Sequence, residues 1–349
     1  MKMYIWILSF VFIAIISGCS SDSNSVAKIN NLKNRTNFDK KELDTIFKYS
    51  KELHHNTQLS IAKIQNGKIN FYGVVRRNDN IETIDNYNKV FKIGSLTKIF
   101  TSTLLAQMVM DEKLNLDDNI QDKLQIQLHN NTKITYKQLS NHTSGLPSFP
   151  KDFNESYYNS NNLENYLKNT LELTNKQNKF NYSNLGVAIL AYTITHIENK
   201  SYEELLQENI LKKLSMNNTT TIENKIAKKL ILATDIDYAI APAMESVGGI
   251  FSSVEDLTKF AIASFDKTNE TLKLTQKETF ADGSAKMGLG WAIHNPKFTE
   301  TLHYHEGLIG GYISSIVLDI KNKNGIIILS NQSSFDDIGL LSTELMKLM

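Results

Sequence analysis

An α+β fold, with an antiparallel β-sheet built from both chain ends, flanked by helices and interrupted by an inserted all-α subdomain, is what the order of hydrophobic patterns predicts. Three observations carry it. Alternating, β-branched runs gather near the N-terminal end at 58–64 and 68–75, on either side of Asn66-Gly67. A second such pair, 312–320 and 325–330 around Asn322-Lys323-Asn324, lies near the C-terminal end. Between them, from Ser95 to about Phe265, helical periodicity dominates, and neither repeats nor low-complexity arrays break it.

Met1-Lys2-Met3-Tyr4 leads into an apolar run from Ile5 to Ile16, followed by Ser17-Gly18-Cys19. The run is shorter than the ~20 residues a membrane-spanning helix needs, and it fits the apolar core of a signal peptide. With a small-residue site ending in cysteine, it resembles a bacterial lipoprotein signal. Residues 1–18 therefore read as signal peptide, and Cys19 as a lipidated anchor to a membrane of the cell envelope, on its periplasmic or extracellular face. Cys19 is the only cysteine, so no intramolecular disulfide is possible. Residues 19–42, rich in Ser, Asn and Lys near their start, read as a flexible tether, and 43–349 as one folded domain. Removal of Lys2 balances the 38 Lys plus Arg against 37 Asp plus Glu. A neutral chain argues against a nucleic-acid partner or a polybasic membrane patch, both of which need clustered positive charge.

Within the domain, 43–53 reads as an amphipathic helix ahead of the first hairpin. The strand-like run Val90-Phe91-Lys92-Ile93-Gly94 leads into a long apolar helix at 96–110. Helical patterns recur at 185–198 and 202–214, and 336–348 reads as a closing helix.

Ser95-Leu96-Thr97-Lys98 stands at the start of that long helix. Residues i and i+3 share a helix face, so the Ser95 hydroxyl and Lys98 amine can meet. The unpaired N–H groups of a helix start also favour an oxyanion forming beside Ser95. Ser-x-x-Lys also begins at Ser25, Ser60, Ser148 and Ser264. A polar tail, an alternating strand, a proline and a helix end respectively remove those four. Tyr182 and Asn184 lie on a turn before an apolar helix, whereas Tyr157-Tyr158-Asn159 has the same spacing without one. His305-Glu306-Gly307 precedes the C-terminal strands, and its glycine permits close approach of a substrate backbone or oxyanion.

In that order, Ser95-x-x-Lys98, Tyr182-x-Asn184 and His305-x-Gly307 resemble the class C serine β-lactamases and the related D-alanyl-D-alanine carboxypeptidases and esterases. Collinear stretches extend the likeness over about 45–349: His142-Thr143-Ser144-Gly145-Leu146-Pro147, Val247-Gly248-Gly249-Ile250, and Gly288-Leu289-Gly290-Trp291 among them. The resemblance implies a β-lactamase/transpeptidase-like fold and an acyl-enzyme on Ser95, with no cofactor and no catalytic metal. It gives the proton to Lys98 and Tyr182, the oxyanion to the N–H groups of Ser95 and Leu308, the substrate amide to Asn184, and the far pocket wall to His305. Either Lys98 or Tyr182 could be the base, since each needs a shift of about 3 pKa units to act at neutral pH.

Dedicated β-lactamases of this kind usually carry Lys-Thr-Gly at the third element, where this chain has His305-Glu306-Gly307. A histidine with the ordinary value is about one quarter charged at pH 7, so it captures a carboxylate weakly. Glu306 would repel one if it faced inward. The expected activity is hydrolysis of D-alanyl peptides or small esters and amides, with a β-lactamase and a penicillin-binding sensory module as alternatives. His303 and His305 could share a strand face and a metal, but no further ligands accompany them. His142 is expected only to shape a turn.

Overall fold

The computed structural model describes residues 26–34, 37–150, 160–237, 244–283, 285–294 and 300–349. The signal-like segment, Cys19, and the Tyr157-Tyr158-Asn159 triplet lie outside the described residues. Among those described, no helix is long and apolar enough to cross a membrane.

The strands are β1 (Ile29–Asn31), β2 (Gln58–Gln65), β3 (Lys68–Arg77), β4 (Asn80–Ile84), β5 (Phe91–Lys92), β6 (Phe251–Ser252), β7 (Phe280–Ala281), β8 (Lys286–Met287), β9 (Ala292–His294), β10 (Leu302–Ile309), β11 (Tyr312–Asp319) and β12 (Asn324–Ser330). Ten of them form one sheet in the order β1-β4-β3-β2-β12-β11-β10-β9-β8-β7, and β5 pairs with β6 separately. Every pairing in the large sheet is antiparallel except β1 with β4. Chain ends meet at β2 beside β12, where Ile61 faces Ile328 across the ladder.

Strand periodicity sorts the side chains into two cores. Ile326 and Ile328 of β12, with Leu59 and Ile61 of β2, pack under the helices Lys40–Ser50 and Ile338–Lys347. Ile327 and Leu329, with Ala62 and Ile64, face the other way and join the core of the helical region. The helix Thr97–Met110 lies inside that second core and is buried nearly all round, as a helix without a consistent polar face must be. Its buried hydroxyls are all bonded: Thr97 Oγ1 accepts from Ile250 N at 3.3 Å, Thr101 Oγ1 donates to Ser246 O at 2.7 Å, Ser102 Oγ pairs with Ser140 Oγ at 2.8 Å, and Thr103 Oγ1 donates to Ile99 O at 2.8 Å.

The start of the domain differs from the sequence expectation. The tether was expected to run to residue 42, yet Ala27 is buried, β1 pairs with β4, and Phe38 packs against Tyr72 with ring centroids 5.0 Å apart. The first helix begins at Lys40 because Asp39 and Glu42 form a capping box: Asp39 Oδ1 accepts from Glu42 N and Glu42 Oε2 from Asp39 N. Glu42 also receives the Lys63 ammonium at 2.7 and 2.8 Å, with both side chains removed from water. Changing Lys63 to Met strands a buried carboxylate and should destabilise the fold by about 3 kcal/mol or more in urea unfolding. The double change Glu42→Gln/Lys63→Met should recover much of that loss.

Candidate active site

Ser95 sits in a tight 3-10 turn, Gly94–Leu96, that runs directly into the helix Thr97–Met110. Gly94 enters the turn at φ +52°, which a side chain rarely tolerates, and a Cβ there would lie 2.7 Å from Leu308 N. Gly307 approaches from β10: a Cβ on it would collide with Ile93 O and Ser314 Oγ and lie 3.0 Å from Ser95 N. Two glycines therefore let the turn and the strand touch backbone to backbone, and the Ser95 and Leu308 N–H groups come to one junction. Ser314 Oγ, donating to Ile93 O at 2.8 Å, and Ile93 N, donating to Ile250 O at 3.0 Å, tie the approach in place.

Lys98 Nζ lies 2.8 Å from Ser95 Oγ and donates to Val247 O at 2.8 Å. Tyr182 OH donates to Ser95 Oγ at 3.0 Å, and Lys98 Nζ is 5.2 Å from the Tyr182 ring centroid. Lys98 has 0% of its surface exposed. Burial holds it well below the ordinary lysine value of 10.5 and pushes Tyr182 above the ordinary tyrosine value, the bond to Ser95 opposing only part of the latter. Desolvation disfavours both charged forms, so burial pushes Lys98 towards the amine and Tyr182 towards the phenol. With Lys98 as an amine, one N–H goes to Val247 O, the lone pair is free to take the Ser95 O–H, and the phenol donates to Ser95 Oγ.

Tyr182 is followed by Ser183, whose Oγ caps the helix Asn184–Glu198 by accepting from Gly186 N at 2.8 Å. Asn184 is the first residue of that helix rather than part of the preceding turn, and its Nδ2 donates to Ser148 Oγ at 3.3 Å. Gly290 packs against the far side of the nucleophile helix, where a Cβ would sit 2.9 Å from Lys98 O.

His305 and Gly307 lie within β10 rather than ahead of the strands, on the face turned to Ser95. His305 Nδ1–H donates to Glu306 O at 2.7 Å, which leaves Nε2 with only a lone pair. Burial, with a smaller contribution from Lys98, pushes the ring from 6.5 to about 4, so it is neutral at pH 7 rather than one quarter charged. Glu306 occupies the opposite face, as strand alternation requires. Its carboxylate lies at the start of the helix Ile338–Lys347, where a Cβ on Gly339 would strike Oε1, and it does not face the pocket. His303 Nε2–H donates to Gln276 O at 2.9 Å, and its ring meets Trp291 edge-on. No group of three or more metal-ligating side chains occurs among the described residues.

Two partners were not foreseen. The Val247 carbonyl holds Lys98 Nζ, although Val247-Gly248-Gly249-Ile250 was noted only as a flanking stretch. His142 lies with its ring 4.4 Å from that of Tyr182.

A family model described as Beta-lactamase matches residues 44–345. The chain belongs to the Beta-lactamase family. It is 27% identical over 332 residues to Protein flp of Staphylococcus aureus (strain MRSA252), covering 86% of this chain and 64% of that protein. The chain thus spans slightly less than two thirds of the length of that relative. It also superposes on the structure of a Beta-lactamase/D-alanine carboxypeptidase from Yersinia pestis with a TM-score of 0.76 at 21% identity, over 87% of this chain and 94% of that one. The octameric penicillin-binding protein homologue from Pyrococcus abyssi gives 0.74 at 22% identity, over 88% and 76%. These likenesses agree with the fold described above.

His142 and His305 make the stability of this family member sensitive to acid. His142 Nδ1 accepts the Ser183 N–H at 3.2 Å, and burial holds that ring well below 6.5 as well. The unfolded chain takes up protons on both rings below pH 6.5, and the folded chain does not until lower pH. Stability therefore falls as pH drops from 6.5 to about 4, by about 3 kcal/mol for His305 alone. Urea unfolding at pH 7 and pH 4 should show His305→Gln losing less stability than the unmutated protein; equal losses would contradict the burial of a neutral ring.

Proposed function

We propose that the protein is a serine acyl hydrolase that forms an acyl-enzyme on Ser95. The observation that carries this reading is the Ser95 hydroxyl lying between a fully buried lysine and a half-buried tyrosine, at 2.8 and 3.0 Å. Lys98 takes the Ser95 proton as Oγ attacks the carbonyl. The proton passes by way of Tyr182 to the departing alcohol or amine, and the Ser95–acyl bond replaces the bond that breaks. Water then attacks the acyl group, gives its proton to the same pair, and Ser95 recovers one from it. The N–H groups of Ser95 and Leu308 receive the oxyanion in both halves.

The neutral His305 bears on the substrate. A ring that offers only a lone pair accepts a hydrogen bond and supplies no charge for a carboxylate. Esters and amides without a free carboxylate near the scissile bond are therefore favoured over peptides ending in D-alanine and over penicillins. The names carried by the Yersinia pestis and Pyrococcus abyssi structures support the D-alanyl and penicillin-binding alternatives. With the lipoprotein-like segment around Cys19, the activity belongs at the cell envelope.

Intact-mass spectra of the protein and of Ser95→Ala, mixed separately with p-nitrophenyl butyrate and benzylpenicillin, discriminate these readings. Butyryl transfer to Ser95 with turnover, together with little reaction with penicillin, is expected. A penicilloyl adduct lasting minutes would favour the penicillin-binding alternative, and rapid consumption of penicillin a β-lactamase. Ester hydrolysis undiminished in Ser95→Ala would remove the hydrolase reading altogether.

A further inference from the structure

The turn that carries Tyr182 has no strand or helix of its own to hold it. Residues 181–185 are instead bonded along their length to residues 142–148. Asn181 N donates to His142 O at 2.8 Å and Asn181 Nδ2 to Leu146 O at 2.6 Å. Ser183 N donates to His142 Nδ1 at 3.2 Å and Ser183 Oγ to Pro147 O at 2.6 Å. Leu185 N donates to Ser148 O at 3.0 Å. The 142–148 segment is a template against which the tyrosine turn is laid.

His142 holds the centre of that template. Its carbonyl receives the N–H of Asn181 and its ring nitrogen that of Ser183, the residues on either side of Tyr182, and its ring lies against the Tyr182 ring with planes 31° apart. It does so with a backbone φ of +61°, unusual for a residue with a bulky side chain, and with 1% of its surface exposed. Because Nδ1 accepts from Ser183 N–H, it carries no proton, so the ring is the neutral Nε2–H tautomer. That Nε2 is buried with no hydrogen-bond partner among the described residues. A left-handed backbone and an unsatisfied buried N–H are both unfavourable. A residue that served only to turn the chain would need neither, and Asn or Gly would make the turn with less strain.

We propose that His142 is the positioning residue for Tyr182, fixing its hydroxyl on Ser95 by bonding the backbone N–H of the residue on either side of it and backing the ring. The inference rests on the acyl-hydrolase reading for its kinetic consequence but not for its geometric one, and the two can be tested apart. His142→Phe keeps a ring and removes the acceptor; His142→Asn supplies an amide oxygen as acceptor and tolerates the left-handed backbone but removes the ring. Rates of Ser95 modification by a fluorophosphonate would be measured for each, for Tyr182→Phe, and for each double variant. A displaced hydroxyl should lower the single-variant rates by about 10- to 100-fold. Neither substitution should slow the Tyr182→Phe protein more than about threefold, because a ring without its hydroxyl has nothing left to position.

A second readout needs no reactivity. In protein labelled with 3-fluorotyrosine, with Tyr182 assigned by its loss in Tyr182→Phe, each His142 variant should shift or broaden the Tyr182 resonance while most others stay in place. If one variant fails to fold, the other supplies both measurements. Rate losses that multiply in full in the Tyr182→Phe background, or a Tyr182 resonance unchanged in a folded variant, would overturn the assignment. An unmutated protein that does not react with the fluorophosphonate would count against the hydrolase reading, and the fluorine spectra would still decide the role of His142.

Discussion

The exclusion of water from Lys98 is the constraint on which the rest of the structure depends. An ammonium with no exposed surface is unfavourable, so burial pushes the side chain towards the amine, the form that can draw the proton from Ser95. Keeping it dry requires cover on every side. The helix Thr97–Met110 is accordingly sunk into the larger core, with its own hydroxyls bonded so that the surroundings stay uncharged. The Val247 carbonyl gives the amine one acceptor, and Thr101, one turn on, fastens the neighbouring Ser246 carbonyl to the same helix. Lys98 is thus positioned from a segment far away in sequence.

The second requirement is that a dry nucleophile must still meet a substrate, and this is where the two layers of the fold join. The turn at Ser95 belongs to the helical layer and β10 to the sheet; only glycine at 94 and 307 lets their backbones come so close. The strand brings His305 on the same face, and alternation sends Glu306 to the other side, against the closing helix. One face of a single strand therefore supplies a close-approach glycine and an uncharged wall. The sequence departs from the Lys-Thr-Gly pattern at this strand, and the physical result is a wall without charge.

Much of this was legible in the residues. Ser95 and Lys98 meet because a helical i, i+3 spacing is local, and the strand runs at both ends were clear because their apolar residues alternate. What could not be read was relational. The exposed Ile29-Asn30-Asn31 strand carries no apolar alternation and exists by pairing with β4. The early helix start is set by the Asp39-x-x-Glu42 capping box, a local signal that lies ahead of the apolar periodicity beginning at Leu43. The orientation of Glu306 depended on register, and the depressed His305 value on how deeply the strand is covered. His142 lies 40 residues from Tyr182 in sequence, and nothing in either segment alone announces that one cradles the other.

The most direct test is to titrate Lys98 itself. In protein labelled with 13C at the lysine ε-carbons, with Lys98 assigned by its disappearance in Lys98→Arg, the account predicts a midpoint well below the ordinary value of 10.5 and a Tyr182 that stays a phenol throughout. A Lys98 resonance that titrates at or above 10.5 would contradict the account, because the charge would then reside on an ammonium and the proton would have to be taken by a Tyr182 phenolate.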